Sequence, residues 1–201
     1  MGLHIESNIM RYDAEHKAKT HRRIVKSASH QLRKKGLSGP AVATLMKASG
    51  LTHGGFYKHF SSRDALVIEA IEESFRDLTQ TLIDAAASKS GSSDAWKAMI
   101  TTYLSLERCD RADIGCPMAA LAPDMARTAP AMKRRIAAAI MKFREQLIPF
   151  MPGRTEDEKS SNFLMIITTM VGTIAIARIM PELAVRQRIL NIVRDRLLAS
   201  F

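Results

Sequence analysis

The segment Gly50-Leu51-Thr52-His53-Gly54-Gly55-Phe56-Tyr57-Lys58-His59-Phe60 gathers donors suited to phosphate oxygens. Lys58 and His59 can donate from their side chains, and Tyr57 through its hydroxyl. Such contacts hold a protein in register on a polyanion, whereas sequence is read at base edges. A second reactive pair, Cys109 and Cys116, flanks Asp110 to Gly115. Cys116 directly precedes Pro117, where the spacing predicts a helix start, and Arg108 and Arg111 lie close in sequence. A helix N-terminus and neighbouring cations stabilise a thiolate. The expectation is either a redox or electrophile switch at Cys116, with Cys109 as partner, or a buried structural thiol. No Gly-x-Gly-x-x-Gly, Walker loop, His-Glu-x-x-His or Cys-x-x-Cys occurs. All six His precede residue 60, far from both cysteines. Neither an enzyme nor a metal site is expected, and no cofactor.

The elements around the donors explain their placement. A small apolar helix, Val42 to Ala48, ends on Gly50, suited to a left-handed turn. Thr52 is a good N-cap for a helix running to Phe60. Phe56 and Phe60 lie four residues apart on one face and can anchor it. The opposite face is small, polar and basic, and Gly54 and Gly55 let the backbone approach a groove closely. This is the pattern of a helix-turn-helix. Its residues resemble the TetR family of bacterial transcription regulators. Arg22-Arg23-Ile24-Val25-Lys26-Ser27-Ala28 is similar to the family's first helix, closed by Lys35-Gly36. Ser61-Ser62-Arg63-Asp64-Ala65-Leu66 is similar to the entry of its long connecting helix. The likeness runs from about residue 11 to residue 75 and is weaker beyond. It implies phosphate and base contacts at Tyr57, Lys58 and His59. Sequence readout is expected from Thr52, His53 and Gly54. Ser38 and Arg63 are secondary phosphate candidates, and Arg22 and Arg23 weaker ones.

Charge supports nucleic acid independently. Residues 1–60 hold 11 Lys or Arg against 3 Asp or Glu, whereas residues 61–201 hold 19 against 17. A basic excess confined to one region marks where a polyanion binds. An RNA reader would present more aromatic stacking platforms than Phe56, Tyr57, Phe60 and Tyr12. Helix formers dominate and alternating β-branched runs are nearly absent, which predicts an all-α fold. No signal peptide is expected, and Phe163 to Ala177 is short for a membrane span. The expected place is the cytoplasm. Residues 1–16 read as an N-terminal arm, with Met10 a plausible alternative start. Residues 17–60 read as the helix-turn-helix domain, and residues 61–201 as a ligand-sensing and dimerisation domain.

Helix one is expected from Thr20 to Lys35, with Ser38 and Pro40 opening the second. The connecting helix runs from Ser61/Ser62 to Ala87, with Leu66, Ala70, Phe75, Leu78 and Leu82 inward. Lys89 to Ser93 is a linker. Five helices follow: Asp94 to Leu106, Pro117 to Arg127, Pro130 to Phe150, Thr155 to Met180 and Pro181 to Ser200. Nine of twelve methionines lie after residue 98. Met fills irregular apolar space, so these are core residues or the wall of a pocket. The resemblance implies a regulatory ligand site here; candidates are Met99, Tyr103, Cys116, Met118, Met125, Phe143, Met165 and Thr169. Leu183, Leu190 and Leu197 recur every seven residues, with Val193 between, and are the candidate dimer seam. The implied protein is a nine-helix homodimeric regulator, a repressor on a palindromic duplex operator. A small apolar or electrophilic effector would release it; thiol sensing at Cys116 is the alternative.

Overall fold

From Leu3 to Lys35 the sequence has neither Gly nor Pro, and the chain forms one helix, α1 (Leu3–Lys35). The computed structural model describes residues 3–37, 53–88 and 94–201. The expected arm at residues 1–16 is therefore no separate element: its described residues continue α1, because nothing in that stretch breaks the backbone ladder. Gly36 closes α1 at φ +79°, with its N–H on the Leu32 carbonyl at 2.8 Å. The expected second helix, with Ser38, lies outside the described residues, as do Thr52 and the linker at 89–93.

Helix α2 (His53–Phe56) is one turn long and continues as a turn, its last bonds joining the His59 and Phe60 amides to the Phe56 carbonyl. It is shorter than expected, since Gly54 and Gly55 cost helix stability. Helix α3 (Arg63–Ala87) starts as expected: Ser62 caps it, accepting from the Ala65 amide at 3.1 Å. Leu66, Ala70, Phe75, Leu78 and Leu82 are all buried. The expected Asp94 to Leu106 helix is divided. Helix α4 (Ala95–Tyr103) stops at Leu104, and α5 (Leu106–Asp110) begins on the cap Ser105, whose hydroxyl accepts from the Arg108 amide. A local cap there outcompetes continuation.

A 3-10 turn at Ala112–Ile114 leads to α6 (Pro117–Ala126). Helix α7 (Pro130–Leu147) ends in another 3-10 turn. The capping box opening α8 (Glu156–Ala177) is complete: Thr155 accepts from the Glu158 amide at 3.1 Å, and Glu158 from the Thr155 amide at 3.3 Å. Helix α9 (Leu183–Ala199) closes the chain. The described regular structure is entirely helical. α5 brings the described helices to nine, without the expected second helix.

Helix α3 packs on α1 at its start and on α4 and α7 further along, so it links the basic region to the rest. Helix α8 is long and apolar enough to cross a membrane by length and composition. Here Phe163, Ile166, Ile167, Met170 and Ile174 bury one of its faces in the core. The leucine stripe of α9 corrects the expected dimer seam. Leu190 is 0 % exposed and Leu197 is buried within the single chain, while Val193 is half-buried. A seven-residue stripe fixes that one face is covered, not which helices cover it; within the single chain α9 packs on α8 and also on α4 and α5. Of the four candidates only Leu183 is left outside.

Candidate nucleic-acid interface

Phe56 and Phe60 are buried and their rings lie 5.5 Å apart, which seats α2 and its turn on the domain. His21 of α1 stacks on Phe60 at 4.5 Å and bonds Glu69 of α3 at 2.6 Å. The recognition turn is thus clamped between α1 and α3. With Phe56 and Phe60 turned in, Tyr57 and Lys58 turn out; Tyr57 is 67 % exposed, its ring edge-on to Phe56 at 5.2 Å. His59 departs from its expected place among surface donors. It is half-buried, its Nδ1 is sealed without a hydrogen-bond partner among the described residues, and burial, then His21 and nearby lysines, hold its pKa down. Arg63 is exposed but commits one guanidinium N–H to the Leu37 carbonyl, tying the start of α3 to the end of α1. The backbone of His53 and Gly54 lies in α2.

The junction between α1 and the later helices was not legible in the sequence. The Leu37 amide donates to Asp124 of α6 at 2.9 Å. A Cβ on Gly36 would come 2.8 Å from the same carboxylate. The Arg33 guanidinium is enclosed between α1, α3 and the segment before α6. Its partners are loosely placed: Gly115 carbonyl at 3.4 Å, Ser29 hydroxyl at 3.5 Å and Asp77 at 3.6 Å. Its Nε has none among the described residues, and burial holds its pKa down. Arg178 at the end of α8 donates to the Cys109 and Arg108 carbonyls at 2.8 and 2.9 Å, and Arg108 to the Ile114 carbonyl at 2.9 Å. Three arginines thus pin the 108–116 segment. Asp124 and Arg178 carried a signal, each being a charge set in or just after an apolar helix.

The ligand candidates are not gathered into one open cavity among the described residues. Met99 borders an apolar void between α3, α4, α7 and α8 of only about 10 Å³, with Trp96, Phe163 and Met170. That admits at most one water. Tyr103 and Cys116 are buried beside each other at the arginine cluster. Met125 is buried, and Met118 and Thr169 half-buried. Phe143 floors a groove of about 290 Å³ between α3 and α7, with Phe75, Arg135 and Lys142. Met165 is 49 % exposed on the outer face of α8, because Phe163, Ile166 and Met170 take the inner face.

The cysteine chemistry is corrected in part. Cys116 does stand at the N-cap of α6, but without a side-chain cap bond; it is 2 % exposed, and burial pushes its thiol up despite the nearby Tyr103 hydroxyl and the first amides of the helix. Burial also pushes Cys109 up. Desolvation outweighs the helix end and the arginines, which leaves little thiolate. Both thiols should react with a chromogenic aromatic disulfide at least tenfold more slowly in the folded chain than in denaturant. Fast reaction of native Cys116, absent in Cys116→Ser, would show that the site opens.

The described residues form an all-helical fold with a short, clamped helical turn after α1. Residues 24–70 match the family model for bacterial regulatory proteins of the TetR family. Solved TetR-family regulators share the fold. One from Cytophaga hutchinsonii has 21 % identity and TM-score 0.72, covering 92 % of this chain and 96 % of that one. One from Chloroflexus aurantiacus has 23 % identity and TM-score 0.74, covering 91 % and 96 %. The Bacillus subtilis regulator FadR, solved with stearoyl-CoA, has 13 % identity and TM-score 0.68, covering 90 % and 98 %. No curated protein matches the chain. The resemblance read from residues 11–75 is borne out by the family model over residues 24–70, and the solved regulators show the same fold along nearly the whole chain.

Proposed function

We propose that the chain is a cytoplasmic, non-enzymatic repressor that binds a palindromic operator as a homodimer and leaves it when a small apolar effector binds. The observation that carries this is the clamped turn, with Phe56 and Phe60 inside and Tyr57 and Lys58 outside. Residues 17–60 act as the DNA-binding domain and residues 61–201 as the sensing and dimerisation domain. Thr52, His53 and Gly54 read bases, while Ser38, Tyr57, Lys58 and Arg63 hold phosphates.

Dimerisation is supported by the outer faces of α8 and α9. Leu164, Met165, Ile176, Ile179, Leu183 and Ile192 are exposed. Space around Gly172 is open, so a partner helix could come close. An effector that parts the tightly closed interior would push on the 108–124 segment. Arg33 and Asp124 tie that segment to α1, so its movement would reorient the two readers. Two readers must lie about 34–36 Å apart to enter successive major grooves. The change is a shift between two populations. Burial of both cysteines favours a reversible effector over thiol chemistry.

The test is duplex binding across a salt series after selection of an operator from random duplexes. Lys58→Ala should flatten log K against log salt by about 0.9 for each phosphate that is no longer neutralised. Tyr57→Phe should weaken binding to every duplex, by less. Failure of the wild type to enrich any duplex would overturn the function; an unchanged slope for Lys58→Ala would remove that residue from the interface.

A further inference from the structure

Between His16 and Arg63 the sequence contains no Asp or Glu. In α1 this leaves a run of cations, bordered at its N-terminal end by exposed Glu15, four residues before Lys19. His16, Lys19, Arg23 and Lys26 recur at three- and four-residue steps, away from the buried Ile24, Ala28 and Leu32, with Arg22 at the margin; Lys17 lies in line with His21, on the side towards His59. The five Lys and Arg of this set are exposed. None of them forms an ion pair among the described residues. They border one concave surface together with Lys58 and His59 of the recognition turn. Glu73 also borders it, but is neutralised by Arg76; Glu69 is held by His21. A merely solvated helix face carries mixed signs in supporting pairs three or four residues apart. Among the described residues no acid comes within ion-pair range of these five cations, which leaves the face suited to an anion from outside.

We propose that this face of α1 is a second, sequence-independent DNA-binding surface, gripping the phosphate backbone of duplex that flanks the stretch read by α2. The proposal rests on the DNA-binding reading above and extends its footprint. From residue 16 to residue 26 a helix rises about 15 Å. That is the axial rise of about four base steps of duplex at about 3.4 Å each. The helix is continuous with the segment that His21 and Ile24 fix to the domain, so the cations are held in a row rather than on a loose tail. Base edges play no part in the grip: Lys and Arg neutralise phosphates and release counterions whatever the sequence.

The test uses the full chain and the duplex it selects from a random pool. That duplex is offered with a full helical turn of flank at each end, or trimmed to the selected site. Wild-type protein should bind the long form at least tenfold more tightly at low salt, and the advantage should vanish as salt rises. In Lys19→Gln/Lys26→Gln the advantage should be lost. Its salt slope on the long form should be flatter by about 0.9 for each phosphate left without its cation. On the trimmed form the variant should match wild type, a result that a folding defect would not give. Equal wild-type affinity for long and trimmed duplexes overturns the proposal, even if the variant fails to fold. If Lys58→Ala releases the probe while flank length has no effect, this inference fails and the function stands. If the wild type selects no duplex, both fail.

Discussion

Ile179→Glu combined with Leu183→Glu should convert the protein into a folded monomer whose operator affinity is at least a hundredfold weaker. Ile179 is 74 % exposed and Leu183 more than half exposed, so neither charge disturbs the packing of the single chain. Across a two-fold axis each carboxylate would meet its own kind in an apolar seam. The fall in affinity follows from valency. Two linked readers gain roughly 10² to 10⁴ over one, with the same interactions at each half-site. Sedimentation and operator titration check both halves. A dimer of undiminished affinity would move the interface away from α8 and α9. Leu190→Glu should behave quite differently. Its side chain has no exposure, so an unpaired carboxylate there costs several kcal/mol and should unfold the chain rather than split a dimer.

Phe56→Ala should abolish DNA binding by unseating the turn that presents Tyr57 and Lys58. Phe56 is among the largest fully buried side chains and touches both Tyr57 and Phe60. A Phe to Ala change in a core costs about 3–5 kcal/mol, much of a domain's stability. Because α2 is a single turn, it has little helical stability of its own to offset the loss. Thermal unfolding followed by circular dichroism should show an early loss confined to the basic region, with the α4–α9 core melting near its wild-type temperature. Tight operator binding by Phe56→Ala would mean that other residues hold the turn.

The sequence by itself determined the features that depend on local chemistry. Ser62 and Thr155 announced their caps because a side-chain oxygen and an amide three residues on are all a cap requires. The inward face of α3 was legible from a 3.6-residue period, and so were Phe56 and Phe60 as anchors. The acid-free basic region needed no coordinates at all. Tertiary structure decided what depends on partners distant in the chain. The stripe of Leu190 and Leu197 pointed to a covered face, and only packing showed that helices of the same chain cover it. A helix end and two arginines suggested a reactive Cys116; the opposing effect is desolvation, set by neighbours such as Tyr103 that adjoin it only in the fold. His59 reads as a surface donor in the sequence, whereas in the fold His21 and Phe60 enclose it. Arg33 looks like one cation among many in α1. Its burial against Gly115 and Asp77, 82 and 44 positions away in sequence, makes it part of the junction between α1 and the later helices. Period and caps fix which face of an element is apolar; the remaining free energy, from desolvation and from packing between distant segments, is assigned only when the helices meet.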